Sequence, residues 1–135
     1  MDEETFATDT NAFVWYLEGN FKLTKNARLC FEKVERGEAI LFIPIIVLFE
    51  CLDKIARKGF PFTTIDEVLI RIEAKSESFK IAPLDETVFD KGLNLSSSTV
   101  KSRDLMIVAV ALANEAKLIT SDKKIRESGL VKTIW

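Results

Sequence analysis

Four carboxylates stand where neither solvent exposure nor helix propensity accounts for them: Asp9, Glu50, Asp104 and Asp122. Glu50 is the most telling. It is the only charge in ILFIPIIVLFECL, roughly two turns into a helix that should be largely buried. An ionised carboxylate in apolar surroundings costs several kcal/mol unless it is paired or bound to a metal. Ile46 and Val47 occupy the turn before it, so no cation meets it from that side, while Lys54 at i+4 could pair with it. Asp104 falls in the first turn of a helix opened by Ser102 as N-cap, and Asp9 and Asp122 fall at the ends of strands. Each aspartate has a modest structural use. Asp9 could cap a turn or helix, Asp122 could cap KKIRES, and Asp104 could stabilise a helix N-terminus by about 0.3–1 kcal/mol. Together they pose a different problem, because like charges held close repel and raise one another's pKa. Divalent cations remove that conflict, and a carboxylate-and-water ligand set suits Mg²⁺ or Mn²⁺ rather than zinc.

The chain has no histidine. That excludes Ser-His and Cys-His catalysis, imidazole-built zinc sites and histidine general bases. A net charge of −2 and a pI near 5.3 give no basic face. This counts against a pure nucleic-acid-binding module, but not against an enzyme that holds a substrate phosphate through metal ions. Cys30 and Cys51 are isolated, with no CxxC, and read as reduced core cysteines. The opening MDEETF is acidic and lacks the basic start of a signal peptide. The longest apolar run, Ile40 to Leu52, is broken by Pro44 and Glu50 and is too short to span a bilayer. A soluble, cytoplasmic protein with no membrane partner is expected.

The elements that must position these acids alternate. Strands are expected at Glu4 to Thr8, Ala39 to Ile43, Phe79 to Ala82, Leu118 to Thr120 and within VKTIW at an edge. ETFAT is thin for a central strand, with Phe6 as its only large apolar residue. Helices are expected from Ala12 to Gly19, Thr24 to Val34, Pro44 to Lys58, Ile65 to Ser76, Asp85 or Thr87 to Leu95, and Ser102 onward. Pro44 suits a first helical turn, and Thr63 or Thr64 with Glu67 looks like a capping box. LMIVAVALA is apolar on nearly every side and so reads as a buried helix, leading quickly into an interior strand. This alternation predicts one α/β domain over residues 1–135, with a mainly parallel sheet of about five strands covered on both faces. In such sheets strand C-termini and helix N-termini share the edge where ligands bind.

TDTNAFVWYL, the glutamate of PIIVLFECL, RDLMIVAVALA and LITSD occur in that order along essentially the whole chain. With these stretches the sequence resembles the PIN-domain ribonucleases, and within them the VapC-like toxins of toxin–antitoxin pairs. The resemblance implies a three-layer α/β/α sandwich. It carries Asp9, Glu50, Asp104 and Asp122 over as catalytic, metal-binding acids, with Thr10, Asn11 and Thr120 supporting them. It further implies Mg²⁺ or Mn²⁺ as cofactor, cleavage of single-stranded or structured RNA, an antitoxin partner and a homodimer. The first strand is more polar than is usual in the family, and position 11 varies among its members.

The corresponding chemistry is in-line attack on a phosphodiester by a metal-activated water, leaving a 5′-phosphate and a 3′-hydroxyl. Lys101, Arg103, Lys123 and Lys124 flank the expected edge and could meet RNA phosphates or be ordinary solvated surface. Trp15 and Tyr16 could stack bases, although core packing suits them better. The helices from Thr24 to Val34 and from Pro44 to Lys58 are expected to carry partner surfaces. A haloacid-dehalogenase-type phosphatase needs a second aspartate where Asn11 stands, and a response-regulator receiver needs acids the chain does not offer. Two alternatives stay open: a non-catalytic PIN-like interaction module, and a PIN nuclease of RNA processing outside a toxin–antitoxin pair.

Overall fold

A computed structural model describes residues 3–57, 65–95 and 100–135. The chain alternates between strand and helix in the order β1 (Glu4–Thr8), α1 (Thr10–Glu18), α2 (Lys25–Glu35), β2 (Ala39–Pro44), α3 (Ile45–Ala56), α4 (Ile65–Ala74), β3 (Phe79–Ala82), α5 (Glu86–Leu93), α6 (Ser102–Ala113), β4 (Lys117–Ile119), α7 (Lys123–Ser128) and β5 (Thr133–Ile134). The five strands form one sheet in the order β3-β2-β1-β4-β5, and every pairing is parallel. Helices cover both faces, giving the three-layer α/β/α sandwich that the alternation implies.

β1 is the middle strand, despite its polar sequence. Flanked by β2 and β4, its second half is sealed: Phe6, Ala7 and Thr8 are fully buried. Its polar first half lies toward the opposite rim. There Glu4 pairs with Lys33 at 2.9 Å and Lys117 at 3.8 Å, and the Thr5 hydroxyl donates to the Glu115 carbonyl at 3.0 Å. A small residue such as Ala7 suits a strand that large neighbours cover. The main core gathers Phe6, Phe13, Phe31, Leu41, Ile43 and Leu118 among others, and a smaller cluster of Ala82, Val88, Ala109 and Val110 lies beneath α5. α6 packs across β1, β2 and β4, and its stretch from Ile107 to Ala111 is buried, as an all-round apolar helix must be.

Some boundaries differ from expectation. Pro44 is the last residue of β2 and the N-cap of α3, rather than part of its first turn. Its extended ψ of 136° continues the strand. Ser102 is already helical, and Lys101 takes the cap position with no side-chain cap bond. α3 ends at Ala56 with Arg57 as its C-cap, short of Lys58, while Thr63 and Thr64 of the capping box and the loop at Ser96 to Ser98 lie outside the described residues. Cys30 and Cys51 are buried free thiols. Among the described residues no helix is long and apolar enough to cross a membrane.

Candidate functional site

The chain runs outward from β1 through β2 to β3, then returns to lay β4 on the other side of β1. The β1–β4 boundary is therefore the switch point at which an open parallel sheet leaves a crevice beyond its strand C-termini. Thr8 is in register with Ile119, and the Asp9 N–H donates to the Ile119 carbonyl at 3.2 Å. That pairing sets Asp9 and Thr120 level with each other, one residue past their strands.

Asp9 caps α1. Its Oδ1 accepts the Ala12 N–H at 2.8 Å, and its Oδ2 accepts a short hydrogen bond from the Thr120 hydroxyl. The same hydroxyl oxygen accepts the Asp122 N–H at 3.0 Å, and Asp122 in turn caps α7 by accepting the Ile125 N–H at 3.0 Å. The capping roles read from the sequence for Asp9 and Asp122 are thus real, and they fix each carboxylate at the rim. Asp104 lies in the first turn of α6 and is partly buried. Glu50, on the second turn of α3, is held through both oxygens. Thr10 donates its hydroxyl hydrogen to Oε1 at 2.5 Å, and the Arg103 guanidinium stands 3.4 Å from Oε2. Glu50 pairs with Arg103 across the cleft; among the described residues no ion pair joins it to Lys54.

These groups line one cleft of about 630 Å³, whose walls include Asp9, Thr10, Asn11, Glu50, Arg103, Asp104 and Asp122. Burial drives the Asp9 carboxyl up from its ordinary 3.8 to about 6, and the charges of Asp122 and Asp104 push the same way. The hydrogen bonds from Thr120 and Ala12 hold it back in part. Asp104 is raised too, first by burial and then by Asp122, with Arg103 opposing and Glu50 adding to the rise. The acids therefore sense one another, and Arg103 and, more weakly, Lys101 oppose them. Among the described residues no three acidic, cysteine or histidine side chains converge tightly enough to form a finished ligand cage. A cation that keeps much of its water shell needs only one or two carboxylates directly, as Mg²⁺ does. The all-oxygen donor set fits such an ion.

Other expected residues fall elsewhere. Thr120 sits at the base of the site, bonded to Asp9, while the hydroxyl of Thr10 serves Glu50. Asn11 is exposed at the cleft wall. Of the four basic residues expected to meet RNA, Arg103 lines the cleft. Lys101 and Lys124 are exposed and off its wall, and Lys123 is drawn toward Glu127, at 3.8 Å along its own helix. Tyr16 stacks on Phe31 with ring centroids 4.3 Å apart, and Trp15 tilts against Trp135 at 5.8 Å, so both serve packing. The cleft wall also holds Ile46, Phe49, Asp53 and Lys54, which the sequence reading did not assign to it. The signal was available: Ile46, Asp53 and Lys54 stand at i−4, i+3 and i+4 from Glu50, on one helix face.

A family model described as PIN domain matches residues 7–129. No protein of curated function matches the sequence. Among solved structures, the chain is similar to one in the Rickettsia felis VapBC2 complex with a DNA fragment from its promoter, at 15% identity, a TM-score of 0.66 and 96% coverage of both chains. A chain of FitAcB from Neisseria gonorrhoeae aligns at 18% identity and a TM-score of 0.66, covering 95% of each. A chain of the toxin–antitoxin family member VapBC-5 from Mycobacterium tuberculosis aligns at 17% and 0.56, covering 96% of each. At these identities the likeness is one of fold.

Proposed function

The chain belongs to the PIN domain family of nucleases, and from that premise we propose that it is a divalent-metal-dependent endoribonuclease, the toxin of a VapBC-type toxin–antitoxin pair. One observation carries this reading: Asp9, Glu50, Asp104 and Asp122, far apart in sequence, line a single cleft at the sheet's switch point. The toxin–antitoxin part is supported by similar structures that include VapBC2, FitAcB and the toxin–antitoxin family member VapBC-5.

In this reading Asp9, Glu50, Asp104 and Asp122 would hold one or two Mg²⁺ or Mn²⁺ ions. A bound divalent ion supplies Lewis acidity toward the scissile phosphate and lowers the pKa of a water molecule. Thr120 favours the ionised form of Asp9, against burial, and fixes its direction by donating to Oδ2. Thr10 fixes the direction of the Glu50 carboxylate from the neighbouring helix by donating to Oε1. A carboxylate not engaged by metal would take the attacking water's proton. Lys54 and Arg103 on the cleft wall meet backbone phosphates, which position the strand without reading its sequence. The exposed apolar side chains of Leu29 on α2 and of Phe49 and Leu52 on α3 offer surface for an antitoxin or a second copy.

The test is incubation of the purified protein with single-stranded RNA and Mg²⁺ or Mn²⁺. Cleavage to 5′-phosphate and 3′-hydroxyl ends, abolished by EDTA and by Asp9→Asn or Asp104→Asn, is the expected outcome. A wild type that neither cuts RNA nor binds a divalent ion would return the chain to the non-catalytic interaction module.

A further inference from the structure

We propose that Arg103 is a positioning residue for Glu50: it stands in for the cation at that carboxylate while the cleft is empty of metal, and gives Glu50 up when metal binds. The inference rests on the metal-site reading above and adds a role for a residue outside the acidic set.

Three observations converge on it. The first is the division of labour at Glu50. Thr10, one residue from Asp9, holds Oε1, so that oxygen is tied to the rest of the site. The second oxygen, Oε2, faces Arg103 at 3.4 Å and is the one whose partner is replaceable. The second is exposure. The Glu50 side chain is 22% exposed and that of Arg103 is 65% exposed, so the guanidinium reaches in from solvent and can swing back into it once a cation takes its place at the largely buried carboxylate. The third is the position of Arg103 itself. It lies in the first turn of α6, the end at which the helix dipole disfavours a cation and favours an anion such as Asp104. Helix stability therefore gives no reason for an arginine there, whereas a carboxylate across the cleft does.

The consequence is competition. Without metal, Arg103 screens the repulsion that Glu50 exerts on Asp104 and keeps the acidic wall compact. A divalent ion that takes Glu50 must first displace the guanidinium. Exposed pairs of this kind are weak, so the displacement costs up to about fivefold in binding constant. That is enough to raise the metal concentration at which the site fills and too little to prevent filling.

Two measurements on the whole chain test this. Isothermal titration with Mn²⁺ compares wild type with Arg103→Gln, and Arg103→Lys serves as the conservative variant. The expected result is Mn²⁺ binding about two- to fivefold tighter in Arg103→Gln, with Arg103→Lys returning toward wild type. In parallel, the Arg103 Nε–Hε resonance is followed by NMR during titration with Mg²⁺. It is expected to shift with the same half-saturation as metal binding, reporting release from Glu50. Equal or weaker Mn²⁺ affinity in Arg103→Gln overturns the proposal. So does an Arg103 signal that stays fixed while the site saturates, since the charge would then act only at a distance. A wild type that binds no Mn²⁺ is a different failure: it removes the metal-site reading itself.

Discussion

The Thr120 hydroxyl donates to Asp9 Oδ2 across a separation of 111 residues, and its oxygen accepts the Asp122 N–H, so one side chain ties two of the four acids together. The parallel pairing of β1 with β4 makes this possible, since Thr8 against Ile119 leaves the next residues abreast. Thr120 is fully buried, so nothing from solvent can replace it.

Thr120→Val keeps the shape and removes both bonds. It is expected to destabilise the metal-free protein by about 1–3 kcal/mol, the usual cost of a buried hydrogen-bonding group left without its partner. Thr120→Ser, which keeps the hydroxyl, should retain most of the stability. Urea unfolding in EDTA measures both. Equal stability of the valine variant and wild type would mean that the bond does not hold the rim together.

Asp9 provides a pH signature. Its folded pKa of about 6 lies above its ordinary 3.8, so the folded, metal-free state binds the extra proton. The stability this contributes is fully present below about pH 3.8 and is lost as pH rises through about 6. At neutral pH the ionised carboxylate costs the fold up to about 3 kcal/mol. Asp9→Asn removes that cost. In EDTA it should be more stable than wild type, and its advantage should grow by about 1–2 kcal/mol between pH 5 and pH 7.5. With Mg²⁺ at about a hundred times its Kd, wild type should gain about 2.7 kcal/mol that the variant lacks. An advantage independent of pH in EDTA would contradict the assignment.

Much of this site was legible because it is written at element ends. Asp9, Asp104 and Asp122 sit where a strand stops or a helix starts, and Glu50 is a lone charge in an apolar run. Those are local signals. The centrality of β1 was not legible, because ETFAT carries one large apolar residue and its burial comes from neighbours contributed by residues 39–44 and 117–119. The Glu50–Arg103 pair was hidden for the same reason: it depends on how α3 and α6 meet, whereas the visible candidate, Lys54, was merely the nearest cation along the helix. Lys123 and Lys124 lie near the rim in sequence, yet α7 carries them off the cleft wall.

The central place of β1 makes its own prediction. Phe6→Ala should cost about 3–5 kcal/mol, as for any large side chain deleted from a close-packed core. Phe21, 89% exposed, should tolerate the same change within about 0.5 kcal/mol. Denaturant midpoints at fixed pH measure the pair. A small loss at Phe6 would argue that β1 is peripheral.

Lys54 and Lys124 separate cleft from surface. Lys54→Ala should raise KM for single-stranded RNA several-fold. It should also flatten the salt dependence of RNA binding by about 0.7 in log–log slope, as the loss of one phosphate contact does. Lys124→Ala, off the wall, should change neither to that degree. Equal effects from the two would place the RNA elsewhere.

The most direct measurement is a crystal structure of the protein grown with Mn²⁺, read by anomalous scattering. The account predicts a peak in the cleft within direct ligand distance of the Asp9 carboxylate, with at least one of Glu50, Asp104 and Asp122 bound directly or through water. A cleft without a peak at saturating Mn²⁺, or a peak bound only elsewhere on the molecule, would contradict it.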